Sequence, residues 1–366
     1  MLISDLNHLR QINQIRFREE VVKNHKVTIV SYMISTPDLW LIPQATEARG
    51  ITFNENGDCI CRPFEKFFNV NENPQTQENL ISTNFHNATV FPKIDGSMIT
   101  PVLFDNEIRL KTKKSFFSEV ALLAQDHFTP ELNELSLHFL RQNFTPIFEF
   151  THPNNRVVIR YRYNKHFTLI ALRHQITGEY RSLDDIPDGT TYDVSRPVQF
   201  ESFDDMKLCH ECFENLEGWV IQFPNQRVKL KTKWYIDRHY NATELSVRNV
   251  AEIVINEALD DLIPEIDDPE MLATIRRIEF DVTSRMSEIM DNVRIFNSWT
   301  SHMSDKDVWM YMERLGQGVF KYPSLLMQFR KKGEVDIKSY FSKNLLKKYT
   351  TRKVSDITGH DQLLSD

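Results

Sequence analysis

The chain has 366 residues, a hydrophobic content of 41% and a formal net charge of −7. This length allows two or three domains with a sizeable core, and the net charge excludes a uniformly polycationic protein. No apolar run approaches the roughly 20 residues that a membrane-spanning helix needs, and the first twenty residues lack the apolar segment of a signal peptide. Four cysteines are too few for a disulfide scaffold, so we expect a reduced, cytoplasmic protein with no membrane partner.

The first 240 residues predict an α+β domain with mainly antiparallel sheets. Short helices and a strand near "KVTIVSYMI" come first, followed by a hairpin over "RGITFNENGDCICRP" that turns at Asn56-Gly57. A second hairpin, over "SMITPVLFDNEIRLKTK", turns at Asp105-Asn106. The later predicted strands are "PIFEFT", "RVVIRYRY", "HFTLIALRH", "GWVIQF" and "RVKLKTKWY", and the predicted helices between them are "SEVALLAQDHF" and "FESFDDMKLCHECFENL".

The sequence pattern changes after about Tyr240. Apolar residues three or four apart run from Val247 to Leu262, and helical patterns continue to the end of the chain. We therefore expect a boundary near residues 240–245 and an all-helical region beyond it. Ten acidic and two basic residues fall within 252–281, whereas nine basic and two acidic residues fall within 330–353. The basic segment is either a set of solvated helix faces or a patch that contacts phosphates.

Lys93 stands in "FPKIDGSMITPV", between a strand-like run and a predicted hairpin. A Lys-x-Asp-Gly match arises by chance about once in ten chains of this length, so the motif alone indicates little more than a surface lysine. Its position on a rigid element beside a turn suits a nucleophile that must be aimed.

Two lysines and two carboxylates add to this hypothesis. Lys229 and Lys231 alternate on a predicted strand, so both face one side, where they are either an exposed basic edge or the two arms of an anion site. Glu149 in "PIFEFT" and Glu217 in "LEGWVIQF" are carboxylates among apolar residues. Each is either a solvent-facing strand residue or a functional group that accepts a ribose hydroxyl or holds Mg²⁺.

The order of these motifs resembles the covalent nucleotidyltransferases, the superfamily of ATP-dependent ligases and capping enzymes. "KIDGS", "FEF", "EGWV" and "VKLKTK" are similar to its motifs I, III, IV and V. "EARGITF", "RPFEKFFNVNE", "LKTKKSFFSE", "NRVVIRY" and "TGEYRSLDDI" narrow the resemblance to the phage RNA ligase 1 family, which repairs tRNA. The likeness covers roughly residues 40–240.

The resemblance implies a fold and a division of the chain. It implies an α+β nucleotidyltransferase domain of the ATP-grasp-like ligase type over residues 1–242. An all-α C-terminal domain, residues 243–366, would follow as a module for RNA or tRNA specificity.

The resemblance also implies a role for each matching residue. Lys93 would be the catalytic nucleophile that becomes lysyl-AMP, and Glu217 would bind the metal. Asp95 would shape the loop and lie near the metal or the lysine. The ATP-binding residues would be Arg49, Lys66, Phe68, Asp95, Gly96, Lys113, Glu149, Gly218, Lys229, Lys231 and Tyr235. One departure is Lys114, where the family commonly has a small residue.

The implied reaction joins RNA 5′-phosphate and 3′-hydroxyl ends through lysyl-AMP and RNA-adenylate, using ATP and Mg²⁺. The implied partners are RNA, in particular a tRNA with a broken anticodon loop, and a polynucleotide kinase-phosphatase in the cytoplasm of an infected bacterium. An adenine needs an apolar or aromatic wall, and Tyr161 or Phe167 is the expected source.

Two other classes of function compete with this interpretation. DNA ligases and capping nucleotidyltransferases of the same superfamily usually carry an all-β OB-fold after motif V, which the helical pattern beyond Tyr240 disfavours. A non-catalytic RNA-binding relative would not need its motif I lysine, and the sequence has no sign of such decay.

Overall fold

A computed structural model describes residues 1–366 except 156–158, 160, 162–164, 240–244, 264–265, 267, 316–319, 358–360 and 365–366. The chain divides into two compact units, Met1–Asn241 and Ala242–Asp366. No helix among the described residues is both long enough and apolar enough to cross a membrane.

The first unit combines strands and helices. Its strands are β1 (Ile15–Val22), β2 (His25–Tyr32), β3 (Arg49–Phe53), β4 (Cys59–Cys61), β5 (Phe68–Asn69), β6 (Thr89–Lys93), β7 (Ser97–Phe104), β8 (Glu107–Lys111), β9 (Phe144–Phe150), β10 (Phe167–His174), β11 (Tyr180–Arg181), β12 (Tyr192–Val194), β13 (Gly218–Gln222) and β14 (Arg227–Lys231). Its α-helices are α1 (Glu78–Asn84), α2 (Glu119–Asp126), α3 (Pro130–Leu140), α4 (Phe203–Cys212) and α5 (Lys233–His239).

The described strands form three sheets that are mainly antiparallel. Their strand orders are β1-β2-β3-β4, then β11-β10-β9-β7-β8 with β12 beside β10, and β5-β14-β13-β6. The two parallel pairs are β10 with β12 and β14 with β5. The predicted α+β class with mainly antiparallel sheets is therefore confirmed.

An apolar core lies between each sheet and the helices that pack against it. Helices α2 and α3 contribute Ala124, Leu132 and Phe139 to the core against the second sheet, which includes Phe148 and Phe167. Side chains at the starts of these helices accept bonds from backbone N–H groups, Ser118 for α2 and Thr129 for α3. Such capping fixes where each helix begins and so which face it buries.

Both predicted hairpins are present, at β3-β4 and β7-β8. Gly57 and Asp105 take positive φ in their turns, as tight hairpin connections require. Most of the predicted strand "RVVIRYRY" lies outside the described residues. The strand predicted over "RVKLKTKWY" is wrong in its second half, because α5 begins at Lys233.

The described residues of the second unit form helices and no extended strand, as the sequence predicts. Its helices are α6 (Val247–Ile255), α7 (Leu259–Leu262), α8 (Pro269–Trp299), α9 (Asp305–Leu315), α10 (Pro323–Lys332) and α11 (Ile337–Asn344). The apolar period from Val247 to Leu262 spans two helices rather than one, because Glu257 takes a φ of 60° and breaks the run. Buried residues recur along α8 at Ile275, Ile278 and Val282.

Candidate active site

Lys93 is the last residue of β6, at the edge of the third sheet. The β6-β13 register places it opposite Gly218, and the β13-β14 register places Lys231 on the other side of that glycine. Three separate sequence motifs therefore meet at the end of three neighbouring strands.

Glu217, the residue before β13, lies between the two lysines. Its Oε1 is 2.9 Å from the Nζ of Lys93 and 3.1 Å from the Nζ of Lys231. Glu217 is 3% exposed and the Lys93 side chain 22% exposed, so the carboxylate is enclosed while the Lys93 amine keeps access to solvent. The protein thus supplies the anion between the lysines.

Asp95 is buried in the loop after Lys93, and both of its carboxylate oxygens accept hydrogen bonds. Oδ1 accepts from the Tyr235 hydroxyl at 2.8 Å, and Oδ2 accepts from the Ile159 N–H at 2.7 Å. The Asp95 N–H donates to the Tyr161 hydroxyl at 2.8 Å. These bonds hold the loop after Lys93 in one conformation. They also link Asp95 to Tyr235, whose ring centre lies 4.8 Å from the Nζ of Lys231.

Two glycines allow the backbone to approach closely at this site. Gly218 has a φ of 148°, and a Cβ there would lie 2.1 Å from the Leu230 carbonyl oxygen. A Cβ at Gly96 would lie 2.5 Å from the Phe150 carbonyl oxygen. A backbone carbonyl cannot move aside as a flexible side chain can, so both positions require glycine.

A cleft of about 230 Å³ opens beside Lys93. It is lined by Arg49, Phe64, Phe67, Phe91, Pro92, Lys93, Ile94, Gly96, Met98, Glu149, Ile170, Ser195, Val220, Gln222 and Arg227. Arg49 Nη1 is buried and has no hydrogen-bond partner among the described residues. A buried guanidinium N–H without an acceptor is costly, and the residue that carries it, Arg49, lines the cleft, which favours an anionic ligand there.

Glu149 lies in the same cleft, on β9, half-buried. Burial raises the pKa of the Glu149 carboxyl to about 7, and the nearby positive charge of Lys93 opposes this rise. Glu217 adds to the rise as a like charge. A carboxyl poised in this way, inside a cleft with charged neighbours, is typical of a functional site.

Other predicted site residues lie outside the cleft lining. Lys66 is buried, 3.5 Å from Glu72, and its Nζ lies 5.2 Å from the centre of the Phe68 ring. Lys113 lies over the Tyr32 ring at 3.8 Å. Lys229 pairs with Val220 across the sheet.

Lys114, the departure from the family pattern, lies in an exposed bend. It does not take the positive φ that would favour glycine. The local backbone therefore accommodates a lysine there.

The aromatic residues that line the cleft are not the two that the sequence analysis indicated. Phe167 is 1% exposed and belongs to the core of the second sheet, so its prediction as an adenine wall is wrong. The Tyr161 hydroxyl accepts the Asp95 N–H, and Tyr161 is not among the residues that line this cleft. Phe64, Phe67 and Phe91 line the cleft. Phe91 could have been found, because it lies two residues before Lys93 on one strand and so shares its face.

The loop that carries Phe64 and Phe67 is anchored by Glu47. Its carboxylate accepts bonds from Arg62 Nη2 at 2.7 Å and Arg173 Nη2 at 2.8 Å. Arg173 Nη1 also donates to the Pro63 carbonyl at 2.6 Å. Burial alone would raise the pKa of Glu47, but the two arginines outweigh it and hold that pKa below its ordinary value.

A divalent cation such as Mg²⁺ fits the donor types at this site. Mg²⁺ is commonly held by one or two carboxylates together with substrate phosphates and water. Glu217 and Glu149 provide hard oxygen donors, whereas both oxygens of Asp95 already accept bonds from the protein. Glu217 is therefore the better candidate ligand of the two residues predicted to bind metal.

The site is centred on a lysine at the end of a strand, as in the class of covalent nucleotidyltransferases. A sequence model of the RNA ligase family matches residues 47–235, more than half of the chain. The chain belongs to this RNA ligase family, which confirms the resemblance and the prediction of an RNA ligase. The matched segment contains Lys93, Glu149, Glu217 and Lys231.

Three relatives carry related names. A candidate RNA ligase of Thermovibrio ammonificans is 27% identical over 68% of this chain and 68% of its own length. A candidate bifunctional polynucleotide kinase/RNA ligase of Autographa californica nuclear polyhedrosis virus is 26% identical, over 60% of this chain and 35% of its own length. RNA ligase 1 of bacteriophage TS2126 is 27% identical, over 56% of this chain and 55% of its own length. The chain thus spans well under two thirds of the two viral relatives.

Among solved structures, an archaeal ATP-dependent RNA ligase aligns over 90% of this chain and 80% of its own chain. Its sequence identity is 14% and its TM-score is 0.43.

Proposed function

We propose that this chain is an ATP-dependent RNA ligase that forms lysyl-AMP on Lys93 and joins RNA 5′-phosphate and 3′-hydroxyl ends. The observation that carries the proposal is that Lys93 and Arg49 line one cleft, and that Arg49 Nη1 is buried without a hydrogen-bond partner among the described residues. An amine on a rigid strand beside an unsatisfied guanidinium suits attack on a bound phosphoanhydride. Membership of the RNA ligase family supports RNA as the substrate.

In the first step, Lys93 Nζ attacks the α-phosphorus of ATP. The Nζ–P bond forms, the bond from that phosphorus to the pyrophosphate oxygen breaks, and the amine proton passes to Glu217 or to water. Glu217 Oε1, 2.9 Å from Nζ, orients the amine. Arg49 holds a phosphate oxygen and Lys231 balances the charge, so the protein acts through positioning and electrostatics.

The other residues in and around the cleft have the following proposed roles. Glu149 accepts a ribose hydroxyl, and Phe64, Phe67 and Phe91 form the wall beside the adenine in place of the residues first expected. Lys66 and Lys229 do not line the cleft, so they would hold the part of the triphosphate that extends beyond it. Phe68 and Lys113 also lie outside the cleft lining, and we assign them to ATP binding without a more definite role. Mg²⁺ held by Glu217 would neutralise phosphate charge when bound.

In the second and third steps the nucleotide moves to RNA and the strand is sealed. An RNA 5′-phosphate oxygen attacks the lysyl-AMP phosphorus and frees Lys93. The 3′-hydroxyl of the other strand then attacks the activated 5′-phosphate and expels AMP. We place this reaction in repair of a tRNA broken in its anticodon loop, after a kinase-phosphatase has healed the ends, in the cytoplasm of an infected bacterium.

The two regions of the chain have different roles in this proposal. Residues 1–242 carry adenylyl transfer, and residues 243–366 form an RNA-specificity module. No extended strand occurs among the described residues of the second unit, which contains α6 to α11 and isolated bridges. That helical content argues against the OB-fold arrangement of DNA ligases and capping enzymes.

Sealing assays on matched strands test the proposal. Purified protein with Mg²⁺ and ATP should join 5′-phosphorylated single-stranded RNA, and the Lys93→Ala variant should not. The same sequence as DNA, single-stranded or nicked, is the control substrate. Joining of nicked DNA without joining of RNA would support the DNA ligase alternative. No joining of RNA and no covalent nucleotide with ATP or GTP would support a non-catalytic RNA-binding protein.

A further inference from the structure

Three histidines from separate parts of the first unit converge beside Phe150. His127 follows α2, His152 follows β9 and His166 precedes β10. Each offers a ring nitrogen, and these three nitrogens all lie within 4.8 Å of one another. All three side chains are half-buried, so the group is neither a solvated surface cluster nor a sealed core.

Packing holds the three rings in place. The His127, His152 and His166 rings lie 4.7–4.8 Å apart, centre to centre. The His152 ring stacks on Phe150 at 5.9 Å with an interplanar angle of 4°. Phe150 is 0% exposed and belongs to the core, so it forms a rigid floor for the cluster.

The hydrogen bonds leave ring nitrogens able to bind a cation. His166 Nδ1 lies 2.9 Å from the Thr151 carbonyl oxygen, which only accepts, so Nδ1 carries the proton and Nε2 has the lone pair. This arrangement is the usual outer support of a metal-binding histidine. Asn154 N–H donates to His152 Nδ1 at 3.1 Å, so that nitrogen has its lone pair and would exchange this bond for a metal.

The His127 ring is the third member of the cluster. No side-chain hydrogen bond holds this ring within the part of the chain that the structure describes. A metal ion could therefore bind the His127 ring without displacing a hydrogen bond from a described residue.

We propose that His127, His152 and His166 bind one transition-metal ion of the Zn²⁺ or Co²⁺ type, with a fourth position open to water. Three imidazoles are ligands that zinc takes readily and that Mg²⁺ does not prefer. With Zn–N distances of about 2.1 Å, tetrahedral ligand nitrogens lie about 3.4 Å apart. The ligand nitrogens, now within 4.8 Å of one another, must therefore close by up to about 1.4 Å, which side-chain rotations allow.

The metal would clamp segments that lie against the catalytic loop. Thr151 N–H donates to the His166 carbonyl at 2.8 Å, so the ends of β9 and β10 are already joined there. A Cβ built on Gly96 would meet Thr151 Cγ2 at 3.1 Å and the Phe150 carbonyl at 2.5 Å. An ion bridging the three histidines would therefore fix the wall on which the loop after Lys93 rests.

Cobalt binding by the full-length, untagged protein tests this site. After removal of metals by a chelator, the protein is titrated with Co²⁺ in excess Mg²⁺, which fills oxygen-rich sites. Equilibrium dialysis and visible absorption should report one Co²⁺ per chain with tetrahedral-type bands. The His127→Gln/His152→Gln/His166→Gln variant should lose that binding by more than about 10-fold, the smallest effect of losing even an outer-shell partner.

A matched control uses exposed histidines elsewhere in the same unit. The His8→Gln/His86→Gln/His138→Gln variant should bind Co²⁺ as the unaltered protein does. Circular dichroism checks that each variant folds; if the triple variant does not, the three single variants decide, and each should weaken binding. The site is contradicted if the unaltered protein binds no Co²⁺, or if its affinity and spectrum are unchanged when the clustered histidines are replaced.

Discussion

Lys93 lies in the cleft because β6 ends there. Its amine is oriented by the contact with Glu217, which belongs to a different motif. The sequence supplied the residue types: Lys93, Glu149, Glu217 and Lys231 were all predicted, and the structure brings them together. The resemblance also indicated Arg49, but not that its Nη1 is buried without a hydrogen-bond partner among the described residues, because whether an N–H group has a partner depends on contacts across the fold.

Replacing Arg49 should weaken nucleotide use without unfolding the protein. Arg49→Ala removes a charge-assisted hydrogen bond to phosphate, worth about 1.5–3 kcal/mol, so labelling at low ATP should slow by about 10- to 100-fold. The rate of covalent labelling as a function of ATP concentration measures this. Arg141→Ala, at an exposed position, is the control and should behave as the unaltered protein. An unchanged ATP dependence in Arg49→Ala would remove Arg49 from the phosphate site.

At the scale of elements, turn residues were the most informative signals. The hairpins at Gly57 and Asp105 were predictable because positive φ restricts the residues that fit. Strand β1 was missed because "IRFREEVV" places charges between its apolar residues. The start of α5 had a local signal, since Thr232 Oγ1 accepts the Tyr235 N–H at 3.2 Å, but the alternating lysines before it favoured a longer strand.

Adding a methyl group at Gly218 should damage the sheet that carries the site. Gly218→Ala meets the Leu230 carbonyl at 2.1 Å in a strained φ of 148°, so we expect a loss of about 3 kcal/mol in the free energy of unfolding. Urea unfolding of the variant and the unaltered protein measures this loss. Gly57→Ala has a strained φ of 85° but meets a side-chain methyl, Ile3 Cγ2 at 2.7 Å, rather than backbone, so it should cost about 1 kcal/mol. Equal losses in the two variants would contradict the close approach at Gly218.

The anchor of the aromatic loop gives a prediction about pH. Glu47→Gln leaves Arg62 and Arg173 without their shared carboxylate, and should cost about 3 kcal/mol at neutral pH. Because the folded-state pKa of Glu47 is lowered from 4.5, its contribution is fully present above that value and is lost as pH falls through the folded-state pKa.

The stability gap between the unaltered protein and Glu47→Gln should therefore be constant from pH 6 to 8 and shrink below about pH 4.5. Urea midpoints at several pH values measure this gap. Glu55→Gln, at an exposed turn, should show no such gap. If the difference in stability instead grew as the pH fell, the ion pairs of Glu47 with Arg62 and Arg173 would be ruled out as its cause.

At the scale of the whole molecule, the sequence predicted a helical second region but not which of its basic residues remain available. Arg330 bonds to Asp305 and to the Met303 carbonyl, and Lys338 pairs with Glu257. These contacts span long stretches of chain, so no local pattern reveals them. The other seven basic residues of 330–353 are exposed, Lys347 and Lys348 among them, so they remain accessible for the phosphate contacts that the sequence offered as one alternative.

Removing two of these charges should weaken RNA binding without affecting adenylylation. Lys347→Ala/Lys348→Ala should lower the affinity for nicked tRNA and reduce the slope of log affinity against log salt by roughly one to two, as expected for losing up to two phosphate contacts. Fluorescence anisotropy across a salt series measures both quantities. Lys306→Ala/Arg314→Ala removes two exposed positive charges from α9 as a control. An unchanged slope in the first variant would exclude this patch from RNA contact.

The central claim is that Lys93 Nζ carries AMP during the reaction. Mass spectrometry of the full-length protein after incubation with ATP and Mg²⁺, without RNA, tests it most directly. We expect one added AMP moiety, located by peptide mapping on Lys93, removed when 5′-phosphorylated RNA is added, and absent in Lys93→Ala. An AMP adduct on another residue, or an adduct that persists in Lys93→Ala, would contradict it.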